Sequence, residues 1–118
     1  MNAPVNETNT PAIDRQVALA RVGGDAELLH EIACLFLEDY PRAMEDIHNA
    51  AARRDAKNLE RTAHGLKGSV ATFGATAAME AAKSLEAMGR AEQLAEVEQV
   101  VRTLELALAA LRPELESL

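Results

Sequence analysis

Residues 94 to 111 read LAEVEQVVRTLELALAAL, with apolar residues three and four apart at Leu94, Val97, Val101, Leu104, Leu108 and Leu111. That spacing follows the turn of an α-helix and marks one buried stripe. The same period extends backward through Ala78, Ala82 and Leu85, through Leu59, Ala63, Leu66, Val70 and Phe73, and through Leu29, Ala33, Phe36, Tyr40, Met44, Ile47 and Ala51. Four long helices are predicted, preceded by a short one from about Asp14 to Arg21. The punctuation is helical: Gly23-Gly24 and then Asp25 as an N-cap, Gly74 before Thr76 as a candidate cap, Gly89 before the last run, and Pro113 near its end. Pro41 removes a backbone donor, yet the apolar register crosses it from Tyr40 to Met44, so one bent helix is expected there. Strand signals are absent and the connections are short. The predicted class is all-α, an antiparallel up-down-up-down four-helix bundle with a short additional N-terminal helix. No internal repeat supports a solenoid.

Of 118 residues 57 are apolar, 24 of them Ala, against three aromatics, enough for one core of small and aliphatic side chains. Residues 1 to 12 are mostly polar and are expected to form a tail or linker, with the bundle spanning 13 to 118. Nineteen acids against twelve bases leave a net charge of −7 and a pI near 4.9. That sign argues against nucleic acid and against anionic membrane as partners. No apolar run is long enough for a span, and residues 1 to 10 lack the features of a signal peptide, so a cytoplasmic protein is expected. Cys34 has no Cys or His neighbour in sequence arranged for zinc and is expected to fill core. Met44, Met79 and Met88 read as core or rim packing, Tyr40 and Phe73 as core, and Glu92, Glu96, Glu98 and Glu105 as a solvated face.

The run from Ala63 to Ser69, AHGLKGS, places two glycines inside the third long helix, each costing roughly 1 kcal/mol relative to Ala. Measured from the stripe of Leu59, Ala63, Leu66, Val70 and Phe73, His64 points about 140° away and Gly68 about 180° away. Both face outward. Lys67 and Gly68 lie one turn beyond His64, so the imidazole has a cation beside it and bare backbone next to it. A neutral imidazole is a competent nucleophile, an ammonium neutralises phosphoryl oxygens, and a missing side chain permits close approach. Residues 53 to 67 hold Arg53, Arg54, Lys57, Arg61 and Lys67 against Asp55 and Glu60, a local +3 within a −7 chain that would steer an acidic partner. A lone exposed histidine is usually inert. The joint occurrence of His, Lys and two costly glycines is what points to function.

The string AHGLKGSVATFGA, residues 63 to 75, resembles the signature of histidine-containing phosphotransfer (HPt) domains, a His-x-x-Lys-Gly core followed by a Gly-Ala that closes the helix. Phe36-Leu37, the stretch from Ala50 to Asp55, Leu59 and Leu85-Glu86 extend the resemblance over residues 13 to about 111. It implies His64 as phosphoacceptor, Lys67 as electrostatic stabiliser and Gly68 as clearance for a docking receiver domain. The binding surface expected around them comprises Lys57, Arg61, Gly65, Ser69, Ala71 and Lys83. Some members of the family carry on the next helix a Gln that bonds the active imidazole; the comparable residue here is Glu86, a departure that leaves its role unassigned. The implied partners are response-regulator receiver domains, including those of a hybrid sensor histidine kinase, with the chain free-standing or a module of such a kinase. Magnesium would come from the receiver, and no cofactor or metal of its own is expected. The resemblance implies a carrier without its own ATP-dependent kinase activity; no GxxxxGK[ST] loop is present, and a mostly charged exterior suits a monomer.

Three other readings are weaker. Glu27 to His30 and Glu45 to His48 are both Glu-x-x-His, but they share one helix roughly 27 Å apart, whereas di-metal bundles draw such motifs from different helices. His30-Glu31-Ile32 resembles the opening of a sensor-kinase phosphoacceptor box but continues as Ala33-Cys34-Leu35, leaving His30 and His48 as solvated or rim residues. A bundle acting only as an interaction module, with His64 idle, is separated by substituting that histidine.

Overall fold

The computed structural model describes residues 11 to 118. Five helices follow in order: α1 Arg15–Arg21, α2 Ala26–Ala52, α3 Ala56–Ala71, α4 Thr76–Ala91 and α5 Val97–Glu116. Each connection is five residues or fewer, which turns the long helices back on one another. α2 packs on α3, α3 on α4, α4 on α5, and α5 closes the ring against α2. The all-α bundle with an added N-terminal helix is therefore present. Asp14, Asp25 and Asp55 cap α1, α2 and α3 by accepting from Val17, Leu28 and Asn58 backbone N–H groups.

The predicted stripes are the core. Ile47, Leu59, Val70, Phe73, Leu85, Leu104, Leu108 and Leu111 are almost wholly buried, each such aliphatic side chain contributing roughly 2 kcal/mol. Pro41 lies inside an uninterrupted α2, because Met44 and Ile47 bury beyond it. Tyr40 is half-buried on the rim, its ring stacked 5.4 Å from that of Phe36. Met44 is buried while Met79 and Met88 pack at the edge.

Several sequence expectations are corrected. Cys34 is exposed rather than core, since the stripe passes through Ala33 and the next residue lies about 100° round the helix. The N-cap of α4 is Ala75, not Thr76, and no side chain caps that end. Gly74 turns the chain with φ +62°, and a Cβ there would stand 2.7 Å from Asp14 Cβ, so the turn and the start of α1 require glycine. Gly89 ends nothing; it lies buried inside α4, which stops at Ala91 with Glu92 left-handed. α5 begins at Val97, leaving Leu94 in the connection, and continues through Pro113 to Glu116 because Leu115 is buried.

Residues 1 to 10 of the expected tail lie outside the described residues. Its last residue, Ala12, is tied down: its N–H donates to Glu114 Oε2 at 2.7 Å, and Ile13 N–H to the other oxygen at 3.4 Å. Asp14 N–H donates to the Phe73 carbonyl at 2.9 Å. The segment before α1 thus closes the end of the bundle between the α3–α4 turn and the end of α5. No helix in the described residues is long and apolar enough to cross a membrane.

Candidate functional site

α3 and α4 approach closely because α4 carries glycine at the crossing. A Cβ on Gly89 would meet the Ala56 carbonyl oxygen at 2.6 Å and Glu60 N at 2.8 Å. With the backbones this near, side chains one and two turns along α3 reach those of α4. His64 Nδ1 lies 2.7 Å from Glu86 Oε2, and Lys67 Nζ lies 2.7 Å from Glu86 Oε1. Arg90 Nη2 donates to Glu86 Oε2 at 3.0 Å, while its Nε donates to Glu60 Oε2 at 3.0 Å. One carboxylate thus gathers an imidazole, an ammonium and a guanidinium.

Burial makes that carboxylate costly unless paired, and it is fully paired. Glu86 is 5% exposed, the lone buried charged residue in the described core. The hydrogen bond from Lys67 overcomes the opposing effect of burial and, with that from His64, holds the Glu86 carboxyl down at about 2. An ionised carboxylate only accepts, so a neutral imidazole facing it must carry its proton on Nδ1. The Nε2 lone pair is then left on a side chain that is 67% exposed. That is the form of histidine that attacks an electrophile.

His64 and Gly68 face outward, where periodicity put them, and the other residues expected around them vary in exposure. Gly65 and Gly68 are exposed, and a Cβ added to either would meet nothing within 4 Å. Ser69 is exposed, its hydroxyl donating to the Gly65 carbonyl at 3.2 Å; Ala71 is half-buried two turns beyond His64. Lys57 and Arg61 are exposed on the first two turns of α3, and Lys83 is exposed one turn before Glu86. Of the five bases in the local cluster, Arg54 is drawn away to Glu98 at 3.0 Å. His30 and His48 are exposed, the first 3.6 Å from Cys34 Sγ and the second 3.3 Å from Glu105. No group of three metal-ligating side chains is assembled among the described residues.

Glu86, Arg90 and Glu60 are the site residues that sequence reasoning left unassigned. One signal was available. Glu86 follows Ala78, Ala82 and Leu85 on the buried side of α4, and an acid there, one turn before a mid-helix glycine, needs a partner on a closely packed neighbour.

The fold and site together define a helical bundle that presents one carboxylate-anchored imidazole on a face cleared by glycines. The chain belongs to the Hpt domain family, whose model matches residues 31–114. It is accordingly a histidine phosphotransfer module of a phosphorelay, a phosphotransfer intermediate of a family that works with receiver domains. Its fold is that of histidine-containing phosphotransfer protein B (HptB) from Pseudomonas aeruginosa PAO1. That crystal structure matches with a TM-score of 0.84 over 92% of this chain and 95% of the other, at 23% sequence identity. Among curated proteins none matches.

Proposed function

We propose that His64 is the phosphoacceptor, taking a phosphoryl group from the aspartyl phosphate of one receiver domain and passing it to another. The observation that carries the reading is the 2.7 Å contact between Nδ1 and the ionised Glu86, with Nε2 turned to solvent. Nε2 attacks phosphorus, the bond from phosphorus to the aspartyl oxygen breaks, and the aspartate leaves as a carboxylate. The ring keeps its Nδ1 proton and becomes a phosphoimidazolium, whose positive charge faces Glu86. Reversal onto a second aspartate completes the transfer.

Lys67 shares Glu86 with His64 and retains further N–H donors for a phosphoryl oxygen. Gly68 and Gly65 leave the receiver backbone room to approach. Arg90 offsets the second half of the Glu86 charge, and Glu60 fixes Arg90. The chemistry of the donor needs magnesium, which in this reading belongs to the receiver; this chain contributes no cofactor, no ATP site and no kinase activity. It acts as a monomer in the cytoplasm, with receivers of response regulators or of a hybrid sensor kinase as partners.

The test is intact mass of wild type and His64→Gln after incubation with magnesium and receiver domains charged by acetyl phosphate. One phosphoryl gain on wild type, labile to acid and stable to alkali, is expected, with none on the folded variant. A gain that survives His64→Gln refutes the assignment.

A further inference from the structure

A carboxylate and an amide of the same shape differ in one respect that matters at His64. An ionised carboxylate only accepts hydrogen bonds, whereas an amide turned over presents a donor. Glu86 is held to the accepting role from both helices. Its Oε1 takes the Lys67 ammonium at 2.7 Å, its Oε2 takes the Arg90 guanidinium at 3.0 Å, and the same Oε2 faces His64 Nδ1 at 2.7 Å. Two cations in contact keep the carboxyl ionised throughout the range in which a histidine titrates. Arg90 is fixed in turn by Glu60, one turn before His64 on α3, at 3.0 Å. Lys83, three residues before Glu86 on α4, is exposed and makes no ion pair among the described residues, and no charged group of α1, α2 or α5 pairs there with His64 or Glu86.

A phosphoryl group on Nε2 leaves the ring two states. With its Nδ1 proton it is a phosphoimidazolium that donates to Glu86 Oε2. Without that proton, Nδ1 is a lone pair 2.7 Å from a carboxylate oxygen that has no proton to offer, two acceptors in contact beside a buried charge. The carboxylate therefore favours the protonated ring twice over, by its charge and by its lack of a donor. Which state is present decides what leaves. When the carboxylate of an acceptor attacks phosphorus, the bond from phosphorus to Nε2 breaks and its electron pair stays on Nε2. A ring that has kept the Nδ1 proton departs as neutral imidazole. A ring that has lost it departs as imidazolate, or must draw a proton from water in the same step, which makes it the poorer leaving group.

We propose that Glu86 is a positioning residue that works as a proton lock: it holds the Nδ1 proton on phosphorylated His64, so the chain remains a competent phosphoryl donor at pH values where an ordinary histidine has lost its charge. The inference rests on His64 as phosphoacceptor and adds what keeps the phosphoryl group transferable. Arg90 and Glu60 belong to the lock. Lys67 is shared between Glu86 and the phosphoryl oxygens, so Arg90 is the cation that stays on Glu86 throughout, and Glu60 keeps it there. The lock exists only while α3 and α4 are packed, so the alkali stability of the denatured phosphoprotein is unchanged by it.

The titration of the phosphorylated ring gives the test. Wild type and Glu86→Gln are phosphorylated by a receiver charged with acetyl phosphate, and the phosphohistidine resonance is followed by phosphorus NMR from about pH 6 to about pH 9. The wild-type ring is expected to hold its proton to about two units above the ordinary histidine value of about 6.5. Glu86→Gln, whose amide turns to donate to a bare Nδ1, should titrate at least about one unit lower than wild type. With one receiver as acceptor at saturating concentration, the receiver's own titrations cancel in the ratio of wild-type to variant transfer rates. That ratio should grow about tenfold for each pH unit above the midpoint of the variant, whereas a merely structural role for Glu86 lowers the rate by the same factor at every pH. Arg90→Met should move the midpoint in the same direction by less. A wild-type ring that titrates near 6.5, which decides the matter even if Glu86→Gln does not fold, overturns the lock. So does a variant that titrates with wild type, or a ratio that is constant with pH, and each leaves His64 as phosphoacceptor. A phosphoryl group that appears equally on His64→Gln refutes the phosphoacceptor reading and the lock with it.

Discussion

Replacing Glu86 by Gln keeps the shape of the side chain and removes its charge, so the pH dependence of the loss isolates the ionic contribution. The carboxyl lies at about 2 in the folded chain against an ordinary 4.5. At about 1.4 kcal/mol for each pH unit, that displacement corresponds to at most about 3.5 kcal/mol. His64 and Arg90 are each about two-thirds exposed, and solvent screens their share, so about 2 kcal/mol is expected at neutral pH. Below about 4.5 the unfolded chain takes up a proton at this position while the folded chain does not. The unfolded state then binds more protons, and this stabilisation falls as pH falls through the folded value near 2. A protonated glutamate resembles glutamine, so the two proteins should converge in acid. Urea unfolding of wild type and Glu86→Gln, followed by far-UV circular dichroism from about pH 7 to about pH 2.5, measures the difference directly. A gap of about 2 kcal/mol above pH 5 that shrinks steadily below it is expected. A gap that is constant over that range, or that widens in acid, refutes the assignment of Glu86 as an ionised, paired carboxylate.

Other perturbations separate packing from transfer. Gly68→Gln has open space for its side chain and should raise helix stability by about 0.5–1 kcal/mol. It should also slow transfer from a receiver at least tenfold, measured by thermal unfolding beside a transfer assay. Gly89→Val forces a Cβ into the Ala56 carbonyl and Glu60 backbone and should cost about 1–3 kcal/mol in urea unfolding. Transfer should fall with it, because Glu86 is displaced from His64. Glu114→Ala releases the Ala12 and Ile13 N–H groups. It should cost about 1–2 kcal/mol, with faster amide exchange before α1 and an unaltered rate of transfer.

Which side chains face water along a single helix follows from its periodicity, and that much was readable in the chain. His64 and the two bare glycines stand outward, with Lys67 on the flank of the helix, because the buried stripe of α3 repeats every three or four residues, whatever packs against it. The helices themselves, the Asp caps and the short connections are local for the same reason. Cys34 shows the limit of that reasoning: a residue type that is commonly buried lies one position off the stripe and is exposed. Gly89 and Pro113 show another. Both look like helix ends by residue type, but the close α3–α4 crossing and the buried Leu115 keep them inside helices.

The partnership of His64 with Glu86 spans 22 residues and depends on the axial register of α4 against α3. Nothing local sets that register. It is decided by the left-handed turn at Gly74, which leaves room for Asp14, and by the contact of Gly89 with the backbone of α3, which brings the two helices near enough for one carboxylate to reach an imidazole, an ammonium and, with Arg90, a guanidinium. The sequence alone determined which residues could carry the chemistry, because helical period is a property of the backbone. Only the tertiary structure decided which atom of His64 is held and which is free, because a hydrogen bond forms between helices whose relative height no single helix encodes.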